Sequence, residues 1–321
     1  MESDFTISNI LDIIEISKKY EKGRKRKRDR IEYNRDLEKL RECTKPLKKL
    51  NDLIGMEDIK KNIIDQVLFY AQRLNTDEMM HVCLTGPPGV GKTTVGKILA
   101  ELFCSMGFLK TNNFKVATRA DFIGGYLGQT ALKTKKLLTD SLDGVLFWDE
   151  SYSISNGKDD SDSYAKECID TINQFLSEHT KNFIMIICGY EEELERCFFN
   201  MNPGLRRRFP WRYNIKEYSS KNLKNIFLYQ VKESGWSFDD TFDLGQLDII
   251  FTDKNTFKHN GGDCLILFDK AKICHSRRVF GHQEMKKKHL NNLDMSNAFE
   301  MLKRHKELVI KKDAVPYGMY V

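Results

Sequence analysis

The sequence predicts an α/β domain built on a parallel β-sheet, followed by a smaller α-helical domain. Three observations lead there. Short apolar runs rich in Val, Ile and Phe, "MMHVCLTG", "FKVATRA", "GVLFWDE" and "FIMIICGY", alternate with helical stretches such as "TTVGKILAELFCSM" and "ALKTKKLLTDSL". Strands separated in this way pair in parallel, because a parallel pair needs a crossover, and a sheet so built is covered on both faces. A glycine-rich loop stands between the first run and the first of these helices. After about Lys216 the strands stop: "SSKNLKNIFLYQVKES", "DCLILFDKAKICHSRRVF" and "MSNAFEMLKRHKEL" read as helices, the first and last with serine caps.

In chain order, residues 1–45 form a charged, basic helical extension. Ile10, Leu11, Ile13, Ile14 and Ile16 have helical spacing, and Leu37 and Leu40 share a face. Between them "KGRKRKRDR", Lys22 to Arg30, carries seven basic residues and one acid. It reads as a solvated helix or disordered arm, as a nuclear import signal, or as a nucleic-acid contact. Pro46 and Gly55 then break the pattern. The large α/β domain is expected over residues 46–217 and the helical one over 218–321. There is no internal repeat.

Composition narrows the class. At 321 residues, 40% of them hydrophobic, the chain can bury two real cores. Its apolar runs are far shorter than the roughly 20 residues a membrane helix needs, so no membrane association is expected. The start lacks a basic region followed by an apolar core, so no secretory signal is read. Eight cysteines without a C-x-x-C pair point to a reducing compartment, cytoplasmic or nuclear. A net charge of +6 is too mild by itself to argue for nucleic acid.

"GPPGVGKTT", Gly86 to Thr94, fits G-x-x-x-x-G-K-[ST] and lies between a strand and a helix, the context that motif requires. Glycines let the backbone wind around a triphosphate, so Pro88, Gly89, Val90, Gly91, Lys92, Thr93 and Thr94 are expected to bind ATP. Lys92 would reach the β and γ phosphates and the Thr93 hydroxyl would bind Mg²⁺. In "GVLFWDES" a buried strand ends in two acids at the edge where open α/β sheets bind ligands. Asp149 would hold Mg²⁺ through water and Glu150 would polarise the attacking water as general base. A pair of acids at a strand end is otherwise a solvated turn.

The order of phosphate loop, "DE" strand and "NPGLRRRF" resembles a P-loop AAA+ ATPase. "LNDLIGMEDIKKNI", "RADFIGGYLGQTALKTKKLL" and "GVLFWDESYSI" narrow the resemblance to the group containing the CbbX-type Rubisco activases and the stage V sporulation protein K. The style of "KICHSRRVFG" and the closing "PYGMYV" is similar to relatives in large DNA viruses. The resemblance implies a homo-oligomeric, hexameric ring that hydrolyses ATP and threads a protein substrate through its pore. It implies that Ile54 and Gly55 cradle adenine and that Tyr126, Leu127 and Gly128 form the first pore loop. It matches Arg208, before Phe209, to an arginine finger acting on a neighbour's ATP. Arg206 and Arg207 assist at that interface or face water. Read without the family, "GGYLGQ" is a glycine-rich turn; "SNGKDDSDS" lies where the resemblance puts a second pore loop, and by itself reads as a polar surface loop.

Two departures stand out. Where many AAA+ proteins end the fourth strand in a polar residue that senses the γ-phosphate, this chain has Gly189 and Tyr190. Where the family's lid carries an arginine, alignment places Gly262, with Asp263 unable to replace it because an acid repels phosphate. Arg277 and Arg278 are expected on the lid surface. Two alternatives compete with a ring remodeller: a nucleic-acid-associated loader or helicase-like ATPase using the Lys22–Arg30 arm, which is not favoured because the body is near neutral, and a non-hydrolysing scaffold.

Overall fold

The computed structural model describes residues 7–25, 35–72, 74, 78–126, 128–155, 162–281 and 288–313. They fall into two units, Met1–Gly86 with Lys92–Lys216, and Pro87–Gly91 with Glu217–Val321. Residues 26–30 of the basic run, Leu127, most of the "SNGKDDSDS" segment and "PYGMYV" lie outside the described residues.

The first unit opens with α1 (Ile10–Lys25), α2 (Arg35–Glu42), α3 (Thr44–Asp52) and α4 (Glu57–Ala71). Ile10, Ile13, Ile14 and Ile16 are buried, and α1 packs on α2 and α3, so this apolar stripe is part of the unit's core. There follow β1 (Val82–Thr85), α5 (Lys92–Ser105), β2 (Phe114–Ala117), α6 (Arg119–Phe122), α7 (Gln129–Thr139), β3 (Val145–Trp148), α8 (Ser163–Glu178), β4 (Ile184–Gly189), α9 (Glu191–Leu194), α10 (Leu205–Arg208) and β5 (Trp211–Asn214). The strands form one parallel sheet in the order β2-β3-β4-β1-β5.

Every residue of β1, β3 and β4 is buried, as a parallel sheet with two covered faces requires. Side chains alternate between the faces. Cys83, Leu146, Trp148, Met185 and Ile187 join a core with α7 and α8, while Phe147 turns toward α5. There Gly96 has no side chain to separate helix from strand: a Cβ would stand 2.6 Å from Cε2 of the Phe147 ring.

The second unit comprises α11 (Ser220–Glu233), β6 (Ser237–Phe238), α12 (Gly245–Thr252), α13 (Gly261–Val279), β7 (His289–Leu290) and α14 (Asn292–Asp313), around Phe227, Phe251, Leu267 and Phe268. Two readings are corrected. Strands do not stop at Lys216, because β6 and β7 pair in parallel; two residues each are too short to show a period in sequence. The last helix begins at Asn292, ahead of Ser296, with Asn291 and Asp294 exchanging caps at 2.9 and 3.1 Å. Arg278, partly exposed at the surface, also holds Asp294 at 2.8 Å, and the same carboxylate meets buried His275 at 3.1 Å, tying α13 to α14.

His81 enters β1 fully buried, its Nδ1 accepting from the Met185 N–H at 3.0 Å and its ring between Phe183 and Phe209. Burial first, and then the charge of Arg208, push its pKa down to about 3.

Two outcomes follow from this packing. Ala favours a helix over Gly by about 1 kcal/mol, but a methyl forced against a fully buried ring costs about 1–3 kcal/mol. Gly96→Ala should therefore lower the urea midpoint of the chain. As pH falls below 6.5 the unfolded His81 takes a proton that the folded one refuses until about pH 3. Across that window stability drops by up to about 1.4 kcal/mol per pH unit on this account. His81→Asn keeps an acceptor for Met185, so its urea midpoint should be lower at pH 7 yet fall less than the parent's between pH 6.5 and 4.

Candidate active site

Parallel strands that cross over through helices end at one edge, and β1, β3 and β4 deliver their groups there. After β1 the chain turns at Gly86 with φ 145°, where a Cβ would lie 2.4 Å from the carbonyl oxygen of Ile215. Only glycine fits. The loop then passes through Gly89 and Gly91, both at positive φ.

Within the second unit this loop rests on the turn before α13. Gly261 N–H donates to Gly89 O at 3.1 Å, Asn260 Nδ2 to Pro88 O at 3.3 Å, and the Tyr218 hydroxyl to Val90 O at 2.9 Å. Three successive carbonyl oxygens are thus committed to protein donors. Carbonyl oxygens repel an anion and N–H groups attract one, so this arrangement suits phosphate. The helix that follows starts at Lys92, with Thr93 and Thr94 in its first turn and no acid there. A 14-residue helix N-terminus free of acids favours anions.

Lys92 Nζ donates to Gly86 O at 2.8 Å and lies 5.5 Å from the centroid of the Tyr190 ring. Burial lowers its pKa, against the raising pull of the Asp149 and Glu150 carboxylates, in whose field the lysine lies. The β3–β4 register pairs Trp148 with Ile187 and so sets Asp149 level with Cys188. The Cys188 thiol donates to Asp149 Oδ1 at 2.8 Å, and the Glu150 N–H donates to the same oxygen at 3.0 Å. Burial, then the bond to Asp149, raises the thiol pKa strongly, so Cys188 is a neutral donor.

Glu150 itself stands at φ 49° and ψ 45°, a left-handed conformation costly for a residue with a Cβ. What holds it is the tight turn Ser151–Ile154 behind it, where Ser153 N–H donates to Glu150 O at 2.8 Å and Ser151 Oγ to Cys188 O at 3.3 Å. The acid is exposed and its backbone is pinned.

The structure thus gathers Lys92, Asp149 and Glu150, with Thr93 and Thr94 on the helix that Lys92 begins. Ile54 and Gly55 lie in the bend between α3 and α4, with Gly55 and Met56 both at positive φ. Tyr126 is 74% exposed in the bend before α7, and Gly128 caps that helix with φ 82°. The three arginines part ways. Arg206 is paired with Glu195 at 2.7 Å and Asn200 at 2.7 Å, Arg207 is exposed, and Arg208 is tethered by Ser177 Oγ on α8 and by Gly204 O at 2.8 Å. Among the described residues Arg208 has no contact with Lys92, Asp149 or Glu150. Gly262 lies in the first turn of α13, and Asp263 is buried on Lys306 Nζ at 2.5 Å and the His259 N–H at 2.7 Å, so its charge is met inside this unit.

Cys188 and Tyr152 escaped the reading of the sequence. The first was within reach of it: aligning "LFWDE" with "MIICG" in parallel register puts the cysteine beside the acid.

Residues 82–217 match the family described as "ATPase family associated with various cellular activities (AAA)". The chain is 37% identical over 269 residues to a putative cfxQ-like protein, R730, of Acanthamoeba polyphaga mimivirus, covering 83% of this chain and 66% of that one. It is 34% identical over 217 residues to the stage V sporulation protein K of Bacillus subtilis, covering 65% of this chain and 66% of that one. It thus spans about two thirds of the length of each. A FIGL-1 AAA domain in complex with ADP superposes with a TM-score of 0.57 at 18% identity, over 84% of this chain and 90% of that one, a likeness of fold.

Proposed function

Because the chain carries a domain of the AAA ATPase family over residues 82–217, we propose that it hydrolyses ATP, assembles as a ring and uses the energy to remodel a protein substrate. The observation that carries the reading is the meeting of Lys92, Asp149 and Glu150 at one sheet edge, with Lys92 following in sequence a loop whose carbonyls are turned onto protein donors. In this reading Pro88 to Thr94 hold the phosphates and Ile54 and Gly55 the adenine. Thr93 and Asp149 would hold Mg²⁺, which when bound would neutralise phosphate charge. Cys188 and the Glu150 N–H both load one oxygen of Asp149, which orients the carboxylate as a ligand. Glu150, exposed and pinned, polarises the attacking water.

Arg208 supplies positive charge to a neighbour's ATP, the role that the match of "NPGLRRRF" to the AAA family gives it. A finger of this kind is worth about 10³ to 10⁵ in rate in GTPases. Its tether to Ser177 is a resting position. Tyr126, with Leu127 and Gly128, grips extended polypeptide, and its exposure supports that use. The relatives named above fit a remodelling role, and the substrate class proposed is polypeptide.

The test is complementation. Lys92→Ala cannot bind ATP but keeps its finger; Arg208→Ala binds ATP but lacks one. Each alone should be inactive, and mixing them should restore part of the turnover. No restoration, or equal loss in Arg206→Ala, sinks the assignment. Glu150→Gln should bind ATP and not turn it over. Tyr126→Ala should keep ATP turnover and lose remodelling of a polypeptide captured by the Glu150→Gln ring; unchanged remodelling rules out threading.

A further inference from the structure

The strand end that lacks a polar residue is filled by two tyrosines. A Cβ on Gly189 would lie 2.6 Å from Cδ1 and 3.0 Å from Cε1 of Tyr152, and 3.2 Å from Cγ of Leu194. The missing side chain is therefore a seat for the Tyr152 ring. From that seat the ring packs on Tyr190, with centroids 5.6 Å apart, and Tyr190 in turn lies 5.5 Å from Lys92 Nζ. The phenol of Tyr152 lies in the field of the Glu150 carboxylate: burial first, then the charge and hydrogen bonding of Glu150, raise its pKa to about 12. It remains a protonated donor.

Glu150 has every backbone group committed near it but a side chain open to solvent. The direction of its carboxylate is then set by whichever donor meets it. Tyr152 is such a donor, two residues further along the chain, with its ring seated on Gly189. Tyr190 gives the arrangement a second end. Lys92 now rests on Gly86 O, a place it must share or leave when its ammonium meets phosphate. The face of the Tyr190 ring feels that change as a cation–π contact, worth roughly 0.5–2 kcal/mol.

We propose that Tyr152 is a positioning residue that orients Glu150 toward the attacking water, and that Tyr190 couples this orientation to the place of Lys92. This rests on the reading of Glu150 as general base. Misplacing a catalytic group by about 1 Å costs on the order of 100-fold in rate, and Tyr152→Phe removes only the hydroxyl while keeping the seated ring.

The experiment measures kcat, KM, the affinity for a fluorescent ATP analogue and the thermal midpoint for the parent, Tyr152→Phe, Tyr190→Leu, Tyr190→Phe and Glu150→Gln. Tyr152→Phe should lose roughly 10- to 100-fold in kcat, with KM, analogue affinity and thermal midpoint close to the parent's. Tyr190→Leu should lose kcat likewise, and Tyr190→Phe, which keeps a ring under the ammonium, should retain more turnover than Tyr190→Leu. A parental kcat in Tyr152→Phe, or a loss that comes with weakened analogue binding or a lower thermal midpoint, overturns the proposal. Turnover that survives in Glu150→Gln overturns the reading of the base itself, an outcome visible without reference to either tyrosine.

Discussion

Parallel pairing of β1, β3 and β4 is the constraint on which the site depends. Strands that run the same way end at the same edge, so whatever follows each of them meets there. The phosphate loop follows β1, the two acids follow β3, and Cys188, next to the end of β4, stands level with Asp149. No single residue of this set carries that arrangement. A slip of one residue between β3 and β4 would turn Trp148 and Met185 to the wrong face and move the thiol away from the carboxylate. The uniformly buried strands are thus the mechanical basis of the chemistry at their ends.

Absent side chains are as decisive as present ones. Gly86, Gly96 and Gly189 each mark a place where something else occupies the volume of a Cβ: a carbonyl oxygen, a phenylalanine ring and a tyrosine ring. At Gly96 the result is close packing of α5 against Phe147 of the sheet. At Gly189 it is a seat for Tyr152 beside Glu150. The left-handed Glu150 belongs with these, because a residue with a Cβ takes that conformation only where the surroundings force it. Here the force is the tight turn Ser151–Ile154 and the bond from its own N–H to Asp149.

Charge is distributed by the same logic. "RRR" looks like one basic patch, yet Glu195 takes up Arg206 and also Arg212 at 2.7 Å, and those bonds hold the glutamate's pKa low in spite of its desolvation. Arg208 lies against α8, and its neighbour His81 is kept neutral partly by that guanidinium. Exposed ion pairs of this sort add little stability, about 0–1 kcal/mol each. What they do is assign direction, leaving Arg207 to solvent and setting Arg208 on the α8 side.

The sequence by itself determined the α/β class, the phosphate loop, the acids at the end of the third strand and the apolar stripe of the first helix. Each is written in short-range patterns: alternation of strand and helix, glycine spacing, helical periodicity. It left β6 and β7 unread, because two-residue strands have no period, and it placed the cap of the last helix five residues late, because Asn291 and Asp294 cap as well as serine does. The tertiary structure alone decided which side chains share a site. The thiol on Asp149, the tyrosine seated on Gly189, the separate fates of Arg206, Arg207 and Arg208 and the burial of Arg278's partner all depend on register and on volume left by distant residues. Those are relations between segments, and no local pattern of residues encodes them.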